Sequence, residues 1–387
     1  MPPLNGIKNS TEQFDALTGL RGFAALWVVA MHFAGDANLL MPATACLNWF
    51  TSAGFNAVAM FFVLSGFILL HTYRARFEVF SWPEYLRFLG LRLARIYPAY
   101  LAAMAAMVML VVAAAFGGVA HSSNAYPFPS LPLEALMLHA WPPEHFEGWN
   151  YPDWSVSVEW FAYLFIFPLA VWLLKRLGGQ NNIIVFTAAL ALLVAEPLVR
   201  SEWKIGMVSL LFLAGALLWE FRRRLLAAGS KLPPHCDSFV FGLLLAALWF
   251  GPALGKLTFV VAQTLTIGLL ILGLSRADGI VSRLFATRVC VFLGEISYSI
   301  YLIHGVVLRM LKIAMPAAKF ASASLPVRAG LLCADAAAVL LAAMLLHFAV
   351  ERPARNWLRR KFARTNPKAE GTVKDSHRQA RDHCGQP

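Results

Sequence analysis

Long apolar runs, separated by short polar connections, make up most of this chain. Ten of them approach the roughly 20 residues that a helix needs to cross the hydrocarbon core of a bilayer. The runs cover approximately residues 17–34, 54–72, 98–118, 160–177, 182–199, 205–221, 238–254, 257–274, 290–311 and 327–350. Because a helix satisfies its backbone hydrogen bonds internally, it is the expected form for each run. The pattern predicts an all-α, polytopic membrane protein, a bundle of about ten transmembrane helices.

The composition fits the same class. Of the 387 residues, 59% are apolar and only 14% carry a charge, and the mean hydropathy is +0.62. Soluble globular domains carry about 25% charged residues. We therefore expect residues 1–352 to form one transmembrane domain within a lipid bilayer. Residues 353–387 are polar and basic, and we expect them to form a disordered cytoplasmic tail.

Lysine and arginine collect on one side of the predicted bundle. If the N-terminus is cytoplasmic, 25 of the 33 basic residues face the cytoplasm. Such an excess on cytoplasmic loops is the usual signal of orientation. The distribution predicts an even number of spans with both termini cytoplasmic. It also accounts for much of the net charge of +12, so no nucleic-acid partner is needed to explain it. No removable signal peptide is evident in the first sixteen residues.

The first apolar run contains two ionisable side chains, Arg21 and His32. They are eleven residues apart, which is about three helical turns, so both lie on one face of a helix. Along the axis they would be separated by roughly 16 Å. Ionisable groups inside a membrane are costly and usually functional. This stripe is therefore the first candidate site.

The second apolar run is interrupted by the small pair Ser65 and Gly66. Small residues in a membrane helix commonly allow two helices to pack closely. Alternatively, the missing side chains leave room for a thin ligand chain. The residues alone leave both interpretations open.

Five arginines and no lysine lie between Tyr73 and Pro98, in the predicted connection to the third run. Two of them, Arg92 and Arg95, are three residues apart and would be neighbours on one helical face. The planar guanidinium matches phosphate oxygens in a bidentate way. The cluster therefore indicates a phosphate site, although ordinary positive charge on a cytoplasmic loop explains it equally well.

The longest outer segment, Val119 to Glu159, has no Lys or Arg and is rich in Pro and Trp. Its tryptophans, Trp154 among them, suit either an interfacial aromatic belt or stacking against a sugar ring. Glu159 lies at the start of the next apolar run. A carboxylate there needs a partner, which favours an ion pair in the bundle interior or a catalytic role.

The ninth run, FLGEISYSIYLIHGVV, is the most polar of the apolar segments. Ser297, Tyr301 and His304 follow one another at helical spacing and form one stripe, with Tyr298 beside it. Packing against neighbouring helices can satisfy the serine and the tyrosines. His304 within a span indicates a shared polar interior.

Several enzyme classes lack their signatures in this sequence. The nucleophile elbow GxSxG, the zinc motif HExxH and the phosphate loop GxxxxGK[ST] are all missing. The five cysteines are scattered without metal-ligand spacing, so no metal is predicted. What remains is a basic cytoplasmic entrance, an Arg and His stripe, and a Trp-rich outer loop. That arrangement suits a phosphate-rich donor inside and an acceptor outside.

With these residues in view, the chain resembles the acyltransferase 3 family of membrane acyltransferases, which modify bacterial surface glycans and other extracytoplasmic acceptors. The resemblance rests on six motifs spread from the first run to the end of the tenth. They are LTGLRGFAALWVVAMHF, MFFVLSGFILL, RLARIYP, WSVSVEWFAYLF, FLGEISYSIYLIH and ERPARNW. The resemblance implies an O-acetyltransferase in the bacterial cytoplasmic membrane. Since no SGNH-type hydrolase domain follows, the chain looks like the stand-alone form.

The family's Arg-x10-His pattern matches Arg21 and His32, and its Arg-x-x-Arg pattern matches Arg92 and Arg95. The family's usual acid three positions before the first arginine is Thr18 here, which removes an acid from that site. The resemblance implies that acyl-CoA, first of all acetyl-CoA, binds with its phosphates on the arginines. Arg21 is expected to contribute to both binding and catalysis.

The resemblance also implies roles for the remaining candidates. The pantetheine arm would pass Ser65 and Gly66, and His32 would act as general base or carry the acyl group briefly. We expect Glu159 to orient a catalytic histidine. The acceptor glycan or polysaccharide precursor is expected at Trp154, Tyr298 and His304. The competing interpretation is a transporter or flippase that uses buried His, Glu and Arg for proton or anion coupling.

Overall fold

The computed structural model describes residues 14–119, 126–141, 148–177, 181–199, 204–229, 233, 235–276 and 279–364. Within these ranges the chain is helical and contains no strand, which confirms the all-α prediction. The main helices are α1 (Asp15–Leu40), α2 (Asn56–Tyr73), α3 (Trp82–Phe116), α4 (Trp154–Phe161), α5 (Phe167–Arg176), α6 (Asn182–Val199), α7 (Lys204–Ala227), α8 (Cys236–Phe250), α9 (Lys256–Leu274), α10 (Ile280–Phe285), α11 (Arg288–Glu295), α12 (Ser297–Ala314), α13 (Leu325–Leu346) and α14 (Arg352–Arg364). Shorter helical turns are Pro42–Leu47, Asn48–Thr51, Arg74–Phe77, Phe128–Ser130, Leu131–Ala135, Tyr151–Asp153, Gly251–Leu254 and Ala317–Phe320.

The number of membrane spans differs from the prediction. Of the helices described, seven are long and apolar enough to cross a membrane, and eight if α11 and α12 count as one span with a bend of 64°. Two further apolar helices, Asn182–Glu196 and Cys236–Phe250, are shorter. The multi-pass class is confirmed, but the count of about ten is not.

Helix α1 lies with its backbone directly against α11. A Cβ atom built on Gly22 would approach the backbone nitrogen of Gly294 to 2.7 Å, closer than real side chains come. Only glycine therefore fits at this crossing. The contact fixes the rotation of α1 about its axis. Arg21, the neighbour of Gly22, is thereby directed toward the interior of the bundle.

Helix α2 packs equally closely against α7. A Cβ on Gly66 would lie 3.1 Å from the backbone nitrogen of Ala216, and one on Gly215 would lie 3.1 Å from that of Phe67. Gly66 therefore serves helix packing and does not line the cavity described below, so its predicted contact with a ligand stays a prediction. Its neighbour Ser65 points the other way, into the interior.

Helix α3 begins sixteen residues before the predicted span. Ser81 caps it through a hydrogen bond from the Glu84 amide to Oγ, and a proline lies in its first turn. Pro98 lies inside the helix and does not end it. Arg92 and Arg95 consequently lie within a long helix, where the sequence predicted a cytoplasmic connection.

The end of the transmembrane domain also differs from expectation. A π-helical turn, His347–Glu351, joins α13 to α14. The disorder predicted for residues 353–387 is therefore wrong for the part in α14. The Phe362 ring packs there against Gly90 of α3, which anchors the helix. Residues 365–387 lie outside the described residues, as do residues 1–13.

Candidate active site

A cavity of about 130 Å³ lies inside the bundle, among α1, α2, α3, α4 and α12. Most of the residues singled out from the sequence line it. The polar lining comprises Arg21, Ser65, Arg92, Arg95, Ser155, Glu159, Tyr163, Ser297, Tyr298 and Tyr301. Motifs from five separate helices thus meet around one space, which makes it the main candidate site.

A second cavity of about 370 Å³ adjoins the first. Its lining is Thr18, Arg21, Arg95, Gly294, Glu295, His347, Phe348, Arg352 and Arg355. Arg21 and Arg95 belong to both cavities, so the two spaces meet at this pair. We call this end of the bundle, with its four arginines, the basic end.

The three predicted arginines are held in different ways. Arg92 is buried, donates a hydrogen bond of 2.6 Å to the Tyr73 hydroxyl, and lies 5.0 Å from the centroid of the Tyr73 ring. Arg21 and Arg95 make no side-chain hydrogen bond or ion pair with any described residue. Arg92 thus has a protein partner for one of its nitrogens, while its buried Nε has no partner among the described residues. Arg21 and Arg95 keep their donors available for a ligand.

Glu351 lies beside the larger cavity and is almost completely buried. Its carboxylate is 2.9 Å from Nδ1 of His347 and accepts hydrogen bonds from Ser299 Oγ at 2.8 Å and Arg355 at 3.4 Å. The sequence assigned no role to this group. The π-helical turn that contains it is a feature often found at functional sites, but periodicity along the chain gives no sign of one.

Glu159 is bonded to no histidine among the described residues, so its predicted role in orienting one stays a prediction. Its carboxylate accepts hydrogen bonds from the hydroxyl of Tyr163 and, at 3.3 Å, from Ser65. Helix α4 carries Glu159 more than one turn inward from Trp154, to the level of Ser65. There it supplies negative charge within the same cavity as Arg21 and Arg95, an arrangement that lowers the cost of burying several cations.

His32 lies next to His304, and we call this region the histidine end. Nε2 of His304 is 3.3 Å from Nδ1 of His32, and the ring centroids are 5.2 Å apart. The Tyr151 ring lies 4.6 Å from the His32 ring and 5.6 Å from the His304 ring. Tyr301, which lines the smaller cavity, lies 5.9 Å from His304. Tyr301 thus borders both the smaller cavity and the histidine end.

The predicted acceptor residues lie in different surroundings. Tyr298 lines the smaller cavity and donates a hydrogen bond of 2.8 Å to the Ile96 carbonyl. Trp154 is only 8% exposed; it stacks on Phe55 at 6.0 Å, and Lys204 Nζ lies 4.9 Å from its ring. Trp154 therefore packs inside the protein, in contact with Phe55 and Lys204.

A buried polar cluster lies next to the turn Tyr151–Asp153, which contacts the histidine end through the Tyr151 ring. Glu134 accepts hydrogen bonds from the Trp149 amide and from Ser130, both at 3.1 Å, and burial raises the pKa of its carboxyl to about 7. Burial, with a smaller effect of Lys204, lowers the pKa of His139 to about 4. Periodicity could not reveal this cluster, because it lies in an irregular segment.

The same outer segment is tied to α12. Asn150 donates hydrogen bonds to Asp153 at 2.8 Å and to the Leu302 carbonyl at 2.9 Å. Tyr301 donates to the Pro152 carbonyl at 3.2 Å. The turn Tyr151–Asp153 is therefore fixed against the part of α12 that carries His304. The neighbouring residues 120–125 and 142–147 of the predicted sugar-binding segment lie outside the described residues.

Comparisons with known proteins give one consistent picture. A family model described as an acyltransferase domain matches residues 14–347. The chain is 29% identical to Acyltransferase MdmB of Streptomyces mycarofaciens over 385 residues, covering 90% of this chain and 93% of that protein. It is 40% identical to Protein 2 in picA locus of Rhizobium radiobacter over 101 residues, or 25% of this chain and 44% of that protein. No solved structure matches the chain.

Proposed function

Because this chain belongs to the acyltransferase 3 family, we propose that it transfers an acyl group, in the first instance acetyl, from acyl-CoA to a hydroxyl of an extracytoplasmic glycan or polysaccharide precursor. The observation that carries the proposal is the pair Arg21 and Arg95, shared by both cavities and bonded to no described residue. Two unpaired guanidinium groups in a membrane bundle call for an anionic ligand.

The phosphates of the donor belong at the basic end. There the larger cavity is lined by four guanidinium groups, from Arg21, Arg95, Arg352 and Arg355, the last of which also donates to Glu351 at 3.4 Å. Charge-assisted hydrogen bonds from arginine to phosphate are among the strongest in proteins. Arg92 donates to Tyr73 and also lines the smaller cavity, so its predicted contact with the donor phosphates stays a prediction.

The pantetheine arm fits the smaller cavity. This space begins at Arg21 and Arg95 and reaches Tyr301, the neighbour of His304. Ser65, Glu159 and Tyr163 supply polar groups along it. The roughly 16 Å that separate residues 21 and 32 along one helix are of the order such an arm must span. The thioester would then reach the histidine end.

The chemistry that follows is general base catalysis by His32. His32 removes the proton from the acceptor hydroxyl, whose oxygen attacks the thioester carbonyl. The new C–O bond forms, the C–S bond breaks, and the proton passes to the CoA sulfur. In the alternative course His32 first takes the acyl group and then passes it to the hydroxyl. Both courses release free CoA and place the acyl group on the acceptor.

The test is transfer of label by the purified protein. The wild-type protein in nanodiscs, given radiolabelled acetyl-CoA and a glycan acceptor, is expected to form a labelled ester and CoA in equal amounts. Absence of transfer to every glycan acceptor would contradict the proposal. Proton or anion flux in proteoliposomes without transfer would instead favour the transporter class. Mass spectrometry of surface polysaccharides from cells with and without the protein then identifies the acceptor.

A further inference from the structure

We propose that His304 is a positioning residue that fixes the tautomer of His32 and so leaves Nε2 of His32 as its basic nitrogen. The inference rests on the proposed function, because it assigns His32 the role of general base. It changes the role of His304 from the predicted contact with the acceptor to a contact with His32. Three hydrogen-bond distances at the histidine end carry it.

The protonation of His304 follows from its surroundings. Its Nδ1 lies 2.7 Å from the Tyr301 carbonyl oxygen. A carbonyl oxygen only accepts hydrogen bonds, so Nδ1 must carry the hydrogen. His304 is completely buried, and a charged imidazolium there would pay a large desolvation cost. The ring is therefore neutral, and its Nε2 is an acceptor.

That acceptor faces His32. Nδ1 of His32 lies 3.3 Å from Nε2 of His304 and 3.0 Å from the Val28 carbonyl oxygen. Both partners accept hydrogen bonds, so Nδ1 of His32 must be the donor. In a neutral imidazole with hydrogen on Nδ1, the lone pair is on Nε2. The tautomer of His32 is thus set by groups on two helices.

The helices that carry the pair are rigidly packed. Ala25 of α1 lies in one buried cluster with Ile300 and Val307 of α12. The turn Tyr151–Asp153 holds the same part of α12 through Asn150 and Tyr301. The distance between the two histidines therefore depends on packed backbone and not on the histidines alone.

A neutral His304 beside His32 suits a general base that must give up its proton again later in the reaction. When Nε2 of His32 takes the hydroxyl proton, the imidazolium keeps its two hydrogen-bond acceptors. A carboxylate in place of His304 would form a buried ion pair with that imidazolium and hold the proton more strongly. With His304 the proton is easily passed on to the sulfur of the leaving CoA.

The test compares His304→Gln with His304→Leu. A glutamine oxygen can accept the hydrogen bond from His32, whereas leucine fills the space without an acceptor. We expect His304→Leu to lower kcat about 100-fold, the cost of a misplaced catalytic group, with an unchanged KM for acetyl-CoA. His304→Gln is expected to recover most of kcat. His71→Leu, which removes a histidine of α2 that lines neither cavity, serves as the control for loss of an imidazole ring.

A second measurement does not depend on activity. Nitrogen-15 NMR of histidine-labelled protein in nanodiscs, assigned with His32→Gln, reports which ring nitrogen of His32 carries the hydrogen. We expect hydrogen on Nδ1 in the wild type and in His304→Gln. In His304→Leu only the Val28 carbonyl still favours hydrogen on Nδ1, so we expect a measurable fraction of the tautomer with hydrogen on Nε2. If His304→Leu does not fold, the wild-type spectrum and His304→Gln still decide.

Two results would overturn the inference. One is a wild-type His32 with its hydrogen on Nε2, and the other is equal kcat in folded His304→Leu and wild type. Failure of the proposed function looks different. In that case no variant transfers label, while the NMR spectrum still shows whether His304 sets the tautomer.

Discussion

The two ends of the bundle hold their polar groups in opposite ways. At the basic end, Arg21 and Arg95 line an open space of about 370 Å³ and make no hydrogen bond to a described residue. At the histidine end, His32 and His304 are bonded to each other and to backbone carbonyls. The basic end is therefore where we propose that a negatively charged ligand binds. The histidine end is preorganised before any ligand arrives.

The largest expected effect on the reaction rate concerns the histidine end. His32→Ala removes the proposed base, and a positioned general base contributes about 10²–10⁴-fold to a rate. We expect kcat to fall by that factor while the binding of acetyl-CoA, measured by equilibrium dialysis, stays unchanged. Cells in which the His32→Ala variant replaces the wild-type protein should lose ester-linked acetyl groups from their surface glycans. Full acetylation with folded protein would show that His32 is not the base.

The next largest effect, on the KM for acetyl-CoA, concerns the basic end. Arg95→Gln removes a guanidinium that lines both cavities and makes no hydrogen bond or ion pair with a described residue. A hydrogen bond to a charged group contributes about 1.5–3 kcal/mol. We expect KM for acetyl-CoA to rise about 10- to 100-fold with a smaller change in kcat. The matched control is Arg87→Gln on the same helix, where the arginine lies 3.6 Å from Glu84 outside both cavities. An equal rise in the KM for acetyl-CoA in Arg95→Gln and Arg87→Gln would contradict a specific role of the basic end in donor binding.

A smaller effect concerns the polar cluster next to the turn Tyr151–Asp153. The pKa of Glu134 rises from 4.5 to about 7, so the folded state binds this proton more tightly and stability falls as pH rises through that range. The pKa of His139 falls from 6.5 to about 4, so stability rises with pH between those values. The two slopes, each at most about 1.4 kcal/mol per pH unit, oppose each other.

Single variants should therefore separate the two slopes. In Glu134→Gln we expect the melting temperature in detergent to rise between pH 4.5 and 6.5, because only the His139 slope remains. In His139→Gln we expect it to fall over the same interval. Wild-type protein should vary less than either variant. Asp153 and Lys204 lie nearby and are unchanged in all three proteins, so they contribute a common background.

The smallest effect is expected at Trp154. Its ring is packed between Phe55 and Lys204, so Trp154→Phe should cost about 1 kcal/mol of stability. The KM for the glycan acceptor should stay within about twofold. Trp172→Phe, at an exposed position on α5, is the control. A tenfold rise in acceptor KM for Trp154→Phe alone would restore the predicted contact with the sugar.

The sequence predicted those features that depend on one helix at a time. Arg21 and His32 do lie on one uninterrupted helix, and Ser297 and Tyr301 do share one lining face of α12. The family was also identified correctly. The spacing of residues along a helix indicates which of them share a face. In a membrane helix this signal is strong because the few polar residues stand out from the apolar ones. The catalytic and binding roles remain predictions.

Contacts between helices could not be predicted in the same way. Glu159 is bonded to Ser65 and Tyr163 because α4 meets α2 at that depth, and nothing along either segment specifies the meeting point. The same holds for Glu351, which joins α12 to the turn before α14. His304 was recognised as polar, but its partner lies 272 residues away. Depth and crossing position come only from three-dimensional packing.

The shared position of Arg21 and Arg95 has a consequence for the membrane itself. A polar path that enters a bilayer from one side and approaches the other could let ions leak across the membrane and dissipate their gradients. Fixed positive charge along a passage excludes protons and other cations. The two arginines lie where one cavity gives way to the next. Vesicles that contain the protein should therefore retain a proton gradient, and Arg21→Gln combined with Arg95→Gln should make them leak.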